Sequence, residues 1–438
     1  MNFDYKNILI MGYGKSGIAV EEILKKIDCN YKIYDSGKKI TGGNYYYKLN
    51  RKIISQFDLI VVSPGISIFN KYIVMAERMG IKVVGEMEFG YWFTSSPVIA
   101  ITGTNGKTTT TSLVRDIVKS TFSCGAFGNI GTPLSVGYNQ KLDYLICEVS
   151  SFQLETTYSF NPYISVILNI AEDHLDRHKN FENYINCKIG LLKNCSDKSL
   201  VVLNADDKVI MSRTENIKAK KFFISKFNKV KGVYIKSDKI YVNLNGKPKE
   251  FMKVDDISQF GGIIEDILAS ILVGCLLKID DEKILNAILN FEVSSHRLQV
   301  VANKKGVKYI DDSKSTNVHS SVNAIKCTTG NLVLLLGGED KNLNFDEIFT
   351  KFSDRLGMVV GFGSSRKKIL KSANKSSYEK IKIFKTFYEA VKFACSYAKE
   401  NDVVLLSPAC TSFDEFSSYA ERGEVFEKLV KEFVYAKN

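Results

Sequence analysis

The chain has 438 residues, 45% of them apolar and 25% charged, with 60 Lys and Arg against 48 Asp and Glu. At about 150 residues per domain this length predicts about three domains, and no run of about 18 apolar residues exists to span a bilayer as a helix. The net charge of +12 is spread thinly, densest around residues 218–231 and 367–385, with no aromatic or arginine-rich recognition motif beside it, so solvated lysines are expected rather than a nucleic-acid partner. The opening MNFDYKNILIMGYG lacks the basic segment, long apolar stretch and small-residue cleavage site of an export signal, and the nine cysteines form no CxxC pair. A reduced, cytoplasmic setting without zinc or disulfides is the expectation.

In chain order, residues 7–11 (NILIM) read as a short buried strand, GYGKSG as a glycine loop, 18–27 as a helix, and 31–34 as a strand ending at Asp35. Strand 59–62, the Ser63-Pro64-Gly65 turn, helix 72–79 and strand 82–84 continue the alternation. This is a Rossmann-like nucleotide fold over residues 1–94, closed by the polar stretch Thr94-Ser95-Ser96-Pro97. Strands at 98–102, 144–147 and 163–168 with helices at 184–192 and 264–277 predict a central ATPase domain of the P-loop type, an open α/β sheet over 95–296. Strands at 332–336, 358–360, 381–384 and 403–406 alternate with helical patterns and predict a C-terminal Rossmann-like α/β domain, 297–438. No fixed-period repeat appears.

The strongest local signal is Thr102-Gly103-Thr104-Asn105-Gly106-Lys107-Thr108-Thr109-Thr110 between a strand and a helix. Glycines let backbone N–H groups turn toward phosphate oxygens, Lys107 offers a cation to the β- and γ-phosphates, and Thr108 a hydroxyl to Mg2+. It is a variant loop, because Ile101 stands where the general motif has its first glycine. Glu148 follows an apolar strand, where open sheets face ligands, and is a second magnesium candidate. His174, within Glu172-Asp173-His174-Leu175-Asp176, sits beside three acids and suits metal or phosphate contact, whereas His178 and His319 read as solvated. Gly12, Gly14 and Gly17 fit GxGxxG with Asp35 ending the next strand, which taken alone says dinucleotide, as in an NAD-dependent oxidoreductase fused to an ATPase.

Seven motifs occur in order: TGTNGKTT, Glu148-Val149-Ser150-Ser151-Phe152-Gln153-Leu154-Glu155, EDHLDRH, Ser295-His296-Arg297, Asp311-Asp312-Ser313-Lys314-Ser315-Thr316-Asn317, Gly337-Gly338-Glu339-Asp340-Lys341 and Ser407-Pro408-Ala409-Cys410-Thr411-Ser412. Together they closely resemble the D-glutamate-adding branch of the Mur ligases over nearly the whole chain. The resemblance implies an ATP-dependent ligase that joins D-glutamate to UDP-N-acetylmuramoyl-L-alanine through an acyl-phosphate. It further implies ATP contacts at Gly103, Thr104, Asn105, Gly106, Lys107, Thr108, Thr109, Asp266, Arg297 and Asp312. Two Mg2+ sites are implied at Thr108, Glu148, His174 and Lys188, the lysine as its carbamate, since an ammonium cannot ligate a cation. Lys107, His174 and Lys188 would carry the catalysis. The glycine loop, Gly14, Lys15 and Ser16, with Asp35, Ser36, Ser63, Pro64 and Gly65, would take the UDP group. Lys314, Thr316 and Lys341, on loops of the third domain, would bind D-glutamate, Thr316 and Lys341 at its α-carboxylate, with Ser412 and the backbone around Tyr419 at the side-chain carboxylate, a two-anion cradle that selects a dicarboxylate. A monomer is expected. At the adenine, relatives carry a His-Asn pair and a further Asn where this chain has Gly262, Ile263 and Asp266, and the Gly- and Tyr-rich loop 37–47 also departs from the pattern.

Overall fold

The computed structural model describes all residues except 1–2, 38–43, 261, 293–294, 341–342 and 436–438. The chain forms two compact units. The first holds residues 1–170, 177–258 and 263–291; the second holds 171–176, 259–262 and 292–438.

The first unit contains two sheets. One is five-stranded and parallel, ordered Tyr45–Tyr46, Asn30–Tyr34, Asn7–Met11, Leu59–Val62, Lys82–Gly85. Its central strands NILIM and LIVV are buried on both faces, as a parallel strand covered by helices on each side requires. The other is nine-stranded, ordered Lys249–Lys253, Lys239–Asn243, Gly232–Lys236, Lys220–Ser225, Leu200–Asn204, Ile164–Ile167, Val98–Thr102, Tyr144–Glu148, Cys124–Gly128. Its middle is parallel, and only the last two pairings at the lysine-rich end are antiparallel. Helix Ile264–Leu276 (IEDILASILVGCL) is apolar almost all round and accordingly buried from Asp266 to Gly274. It packs against Lys107–Lys119, the helix that follows the phosphate loop.

The second unit is built on a six-stranded sheet ordered Gln299–Lys304, Val307–Asp311, Asp402–Ala409, Asn331–Gly337, Leu356–Phe362, Ile381–Ile383. Only its first pairing is antiparallel. The chain is therefore α/β with three sheets. Among the described residues no helix is long and apolar enough to cross a membrane.

Several expectations shift. The residue 184–192 helix runs from Phe181 to Ile189, which puts Lys188 in its last turn. Residues 218–253, of which the sequence singles out only 218–231, as lysine-dense, supply four strands, Lys220–Ser225 to Lys249–Lys253. Lysines at strand ends and edges hid their alternation. Helix Glu86–Phe93 was not anticipated, and its two glutamates are buried. His178 is not solvated: it is 5% exposed, with Nε2 3.0 Å from Ser151 Oγ.

Candidate active site

In the five-stranded sheet the turns after three adjacent strands converge. Gly12 follows Asn7–Met11, Asp35 follows Asn30–Tyr34, and Ser63 follows Leu59–Val62. The Tyr13 amide donates to Asp35 Oδ2 at 2.7 Å, the Gly37 amide to Asp35 Oδ1 at 2.8 Å, and Ser63 Oγ to Gly12 O at 3.0 Å. Gly14, Lys15, Ser16, Asp35, Ser36 and the Ser63-Pro64-Gly65 turn thus share one end of the sheet, at the point where strand order reverses and open α/β sheets bind nucleotides.

In the nine-stranded sheet the loop after Val98–Thr102 enters helix Lys107–Lys119 through Gly106, whose φ of +85° suits glycine. The start of that helix carries no side-chain cap at Gly106. Lys107 Nζ folds back onto Gly103 O and Thr104 O at 2.9 and 2.8 Å. Asn169 braces the loop, accepting from the Asn105 amide at 2.8 Å and donating to Asn105 O at 3.2 Å. Lys188 is 1% exposed and donates to Gly103 O at 2.7 Å, with its ammonium 4.9 Å from the centre of the Tyr184 ring. Tyr184 in turn reaches Thr104 Oγ1 at 3.0 Å. Glu148 is paired in register with Ile101 on the neighbouring strand, at the strand end from which the loop leaves. Asn129 Nδ2 donates to Glu148 Oε1 at 2.6 Å, while Oε2 is buried without a hydrogen-bond partner. A buried carboxylate oxygen left bare is costly unless a cation or proton completes it. That orphaned oxygen, with the Thr108 hydroxyl and bound phosphate, fits a hard divalent cation. Among the described residues no group of three His, Cys, Asp or Glu side chains forms a metal cage. Asn129, missed in the sequence, is legible only once Cys124–Gly128 is seen to pair with Tyr144–Glu148.

Asp266 is 4% exposed and lies against the phosphate loop: a Cβ added to Gly106 would stand 2.1 Å from Asp266 Oδ1. The ATP contact expected of this residue thus lies beside the loop that follows strand Val98–Thr102.

The second unit gathers the remaining candidates. A cavity of about 300 Å3 is lined by Asp173, His174, Thr316, His319, Glu347 and Thr411, among others. His174 has φ +52°, and Asn317 Nδ2 donates to Asp173 Oδ2 at 3.1 Å, tying that segment to the loop after Val307–Asp311. Ser412 is 2% exposed, and Tyr419 begins helix Tyr419–Tyr435, its ring centre 6.0 Å from Lys314 Nζ. Lys341 lies outside the described residues. Asp312 accepts from the Leu298 amide at 3.3 Å and from Ser407 Oγ at 2.7 Å. Its burial pushes its carboxyl up to about 6, against the pull of the hydrogen bonds from Ser315 and Ser407 and of the Arg297 charge.

Three family models match this chain: the Mur ligase MurD-like N-terminal domain over residues 6–85, the Mur ligase middle domain over 101–264, and the Mur ligase glutamate ligase domain over 296–410. It is 38% identical over 451 residues to the UDP-N-acetylmuramoylalanine–D-glutamate ligase of Thermoanaerobacter sp. (strain X514), covering 99% of each chain. The enzyme of the same name from Clostridioides difficile (strain 630) is 35% identical over 448 residues, covering 98% of this chain and 99% of that one. Among solved structures, a pseudomurein peptide ligase type C from Methanothermus fervidus superposes with a TM-score of 0.61 at 19% identity, over 97% of this chain and all of that one. A MurF ligase from Thermotoga maritima in complex with ADP gives 0.59 at 16%, over 98% and 95%. Those two share the fold. With family models along the sequence and relatives above a third identical from end to end, the chain belongs to the Mur ligase family.

Proposed function

We propose that this chain is the ATP-dependent ligase that forms an amide bond between UDP-N-acetylmuramoyl-L-alanine and D-glutamate, in peptidoglycan precursor synthesis. The carrying observation is the phosphate loop at residues 103–107 with Lys188 and Glu148 converging on it, in a chain similar from end to end to D-glutamate ligases.

The carboxylate of the precursor attacks the γ-phosphate of ATP, ADP departs, and the amine of D-glutamate then displaces phosphate from the acyl-phosphate. Such chemistry needs aligned reactants and neutralised phosphates more than a strong nucleophile. In this reading Lys107 exchanges its two carbonyl partners for phosphate oxygens, joined by backbone amides at the start of helix Lys107–Lys119. Thr108 and Glu148 hold one magnesium; His174 and Lys188, as its carbamate, serve a second. When bound, magnesium supplies positive charge to the phosphates. Asn129 fixes which Glu148 oxygen remains available. Arg297 and Asp312 contact ATP, the aspartate at its ribose hydroxyls, and Asp266 serves the base side. Gly14, Lys15, Ser16, Asp35, Ser36 and the turn at Ser63, Pro64 and Gly65 take the UDP group. Lys314, Thr316 and Lys341 bind D-glutamate, Thr316 and Lys341 at its α-carboxylate, and Ser412 and the backbone near Tyr419 take its side chain.

These roles divide the chain into a precursor domain, 1–94, an ATP domain, 95–296, and an amino-acid domain, 297–438, each with a sheet of its own. A cytoplasmic monomer is the working form; reliance on ATP and nine free cysteines support the compartment.

Phosphate release measured with ATP, UDP-N-acetylmuramoyl-L-alanine and a panel of amino acids tests the reading. Release is expected to require all three substrates, with D-glutamate far ahead of L-glutamate, D-aspartate, L-lysine and diaminopimelate. Equal or faster turnover with a diamino acid would overturn it.

A further inference from the structure

The largest fully buried side chain of the described residues is a charged one, Arg422, 0% exposed in the first turn of helix Tyr419–Tyr435. Burying a guanidinium is costly unless its donors are satisfied. Here Nε donates to Ser313 Oγ at 2.9 Å, Nη2 to Ser313 O at 2.9 Å, and Nη1 to Cys410 O at 3.0 Å and Thr411 O at 3.3 Å. Every one of these acceptors is a neutral oxygen. Burial pulls the guanidinium down to about 10, so it stays charged at neutral pH.

The acceptors belong to two loops. Ser313 follows strand Val307–Asp311 and leads to Lys314 and Thr316; Cys410 and Thr411 follow the adjacent strand Asp402–Ala409 and lead to Ser412. The planar fork reaches both at once with four bonds from three nitrogens in a fixed geometry, a spread that a compact ammonium does not reproduce. Its position is itself fixed. Ser313 Oγ donates to Tyr419 O at 2.8 Å, closing the loop back onto the helix start. The next residue, Gly423, lies against the His296–Asp311 pair, which is joined at 2.7 Å: a Cβ there would meet His296 Nδ1 at 2.2 Å and Asp311 Oδ2 at 2.7 Å. Asp311 Oδ1 in turn accepts from the Ser313 amide at 2.8 Å. A third loop also closes in, since a Cβ on Gly338 would come within 3.0 Å of Arg422 Nη1.

We propose that Arg422 is a positioning residue for amino-acid selection: by holding these two loops at a fixed separation, it sets the distance between the two carboxylate-binding ends of the cradle. The inference rests on the reading above that Thr316 and Ser412 serve the two ends of the amino acid. Arg422 touches no substrate in this scheme. It converts backbone spacing into a preference for a dicarboxylate of one length.

The test is steady-state kinetics of Arg422→Lys, with Thr316→Val run beside it and folding checked by circular dichroism and thermal melting. Arg422→Lys is expected to raise KM for D-glutamate about 10-fold or more, the scale of a small misplacement of binding groups. KM for ATP should hold steady, and the preference for D-glutamate over the shorter D-aspartate should narrow. A general loss of kcat with unchanged KM and unchanged selectivity would overturn the inference, because a merely structural arginine behaves that way. If Thr316→Val raises KM for D-glutamate and folded Arg422→Lys does not, the positioning role fails and the cradle stands. If neither changes it, the cradle reading itself fails. Should Arg422→Lys not fold, Ser313→Ala removes the Nε acceptor and leaves the guanidinium in place. It is expected to move KM and selectivity in the same direction by less, and an unaltered ratio of D-glutamate to D-aspartate use in that variant would equally overturn the proposal.

Discussion

Lys188 and Asp312 each combine full burial with an ionisable group, and each invites a test in which charge and structure come apart. As an ammonium, Lys188 spends its proton on Gly103 O, which would make it a brace for the phosphate loop. As a carbamate it presents oxygens to a cation. The carbamate reading expects Lys188→Ala to lose about 100-fold or more in turnover, as when a group acting on developing charge is removed. It also expects a carbonyl resonance from 13C-labelled bicarbonate in the wild type that the variant lacks; a fully active variant would contradict it. Asp312 concerns pH. Its folded carboxyl titrates near 6 against 3.8 in the open chain, so the folded state holds its proton more tightly. The resulting stabilisation is complete below about pH 4 and is lost as pH rises through 6, amounting to ~3 kcal/mol for a shift of this size. Urea unfolding at several pH values should therefore find wild type losing ground to Asp312→Asn between pH 4 and 7. A difference between the two that does not vary with pH would count against it.

Among the elements, the phosphate loop was the most legible and its surroundings the least. TGTNGKTT names its own conformation, since glycine is needed where φ turns positive and a strand must give way to a helix start. What presses on the loop comes from far along the chain: Asn169, Lys188 and Asp266 all reach it through sheet order and helix packing. Gly106→Ala would impose a left-handed conformation on alanine, costing about 1–2 kcal/mol, and drive its Cβ into Asp266. The variant is expected to raise KM for ATP about 10-fold or more by displacing the loop amides. Adding Asp266→Ala should restore part of the loss, because it relieves the collision and not the backbone strain. Nucleotide kinetics untouched by Gly106→Ala would mean that this loop does not hold the phosphates. The strands of residues 220–253 went unread for a different reason, as they lie at a sheet end where lysines replace the continuous apolar runs of the middle.

For the molecule as a whole, the two sheets of the first unit are joined through polar contacts as well as apolar ones. Glu88 is fully buried and accepts from the Ser159 amide and Oγ, both at 2.6 Å, from the Phe160 amide at 3.1 Å and from Trp92 Nε1 at 3.0 Å. It thereby ties the helix after the five-stranded sheet to the loop before strand Ile164–Ile167. Glu88→Gln turns one acceptor oxygen into a donor facing other donors, and is expected to cost ~1–3 kcal/mol, read as a lower urea midpoint. An unchanged midpoint would mean that the joint is not a determinant of stability. The sequence by itself determined the α/β class, the alternation of strands and helices and the order of the ligase motifs, because hydrophobic period and glycine chemistry are local and survive without neighbours. The tertiary structure alone decided that Asn129 shares Glu148, that Asp266 rests on Gly106, that His178 is buried and that Arg422 binds two loops at once. Each of those contacts joins positions that are remote in sequence or separated by a change of sheet, and the partner of a buried polar group is set by which strands become neighbours, a choice that no local pattern records.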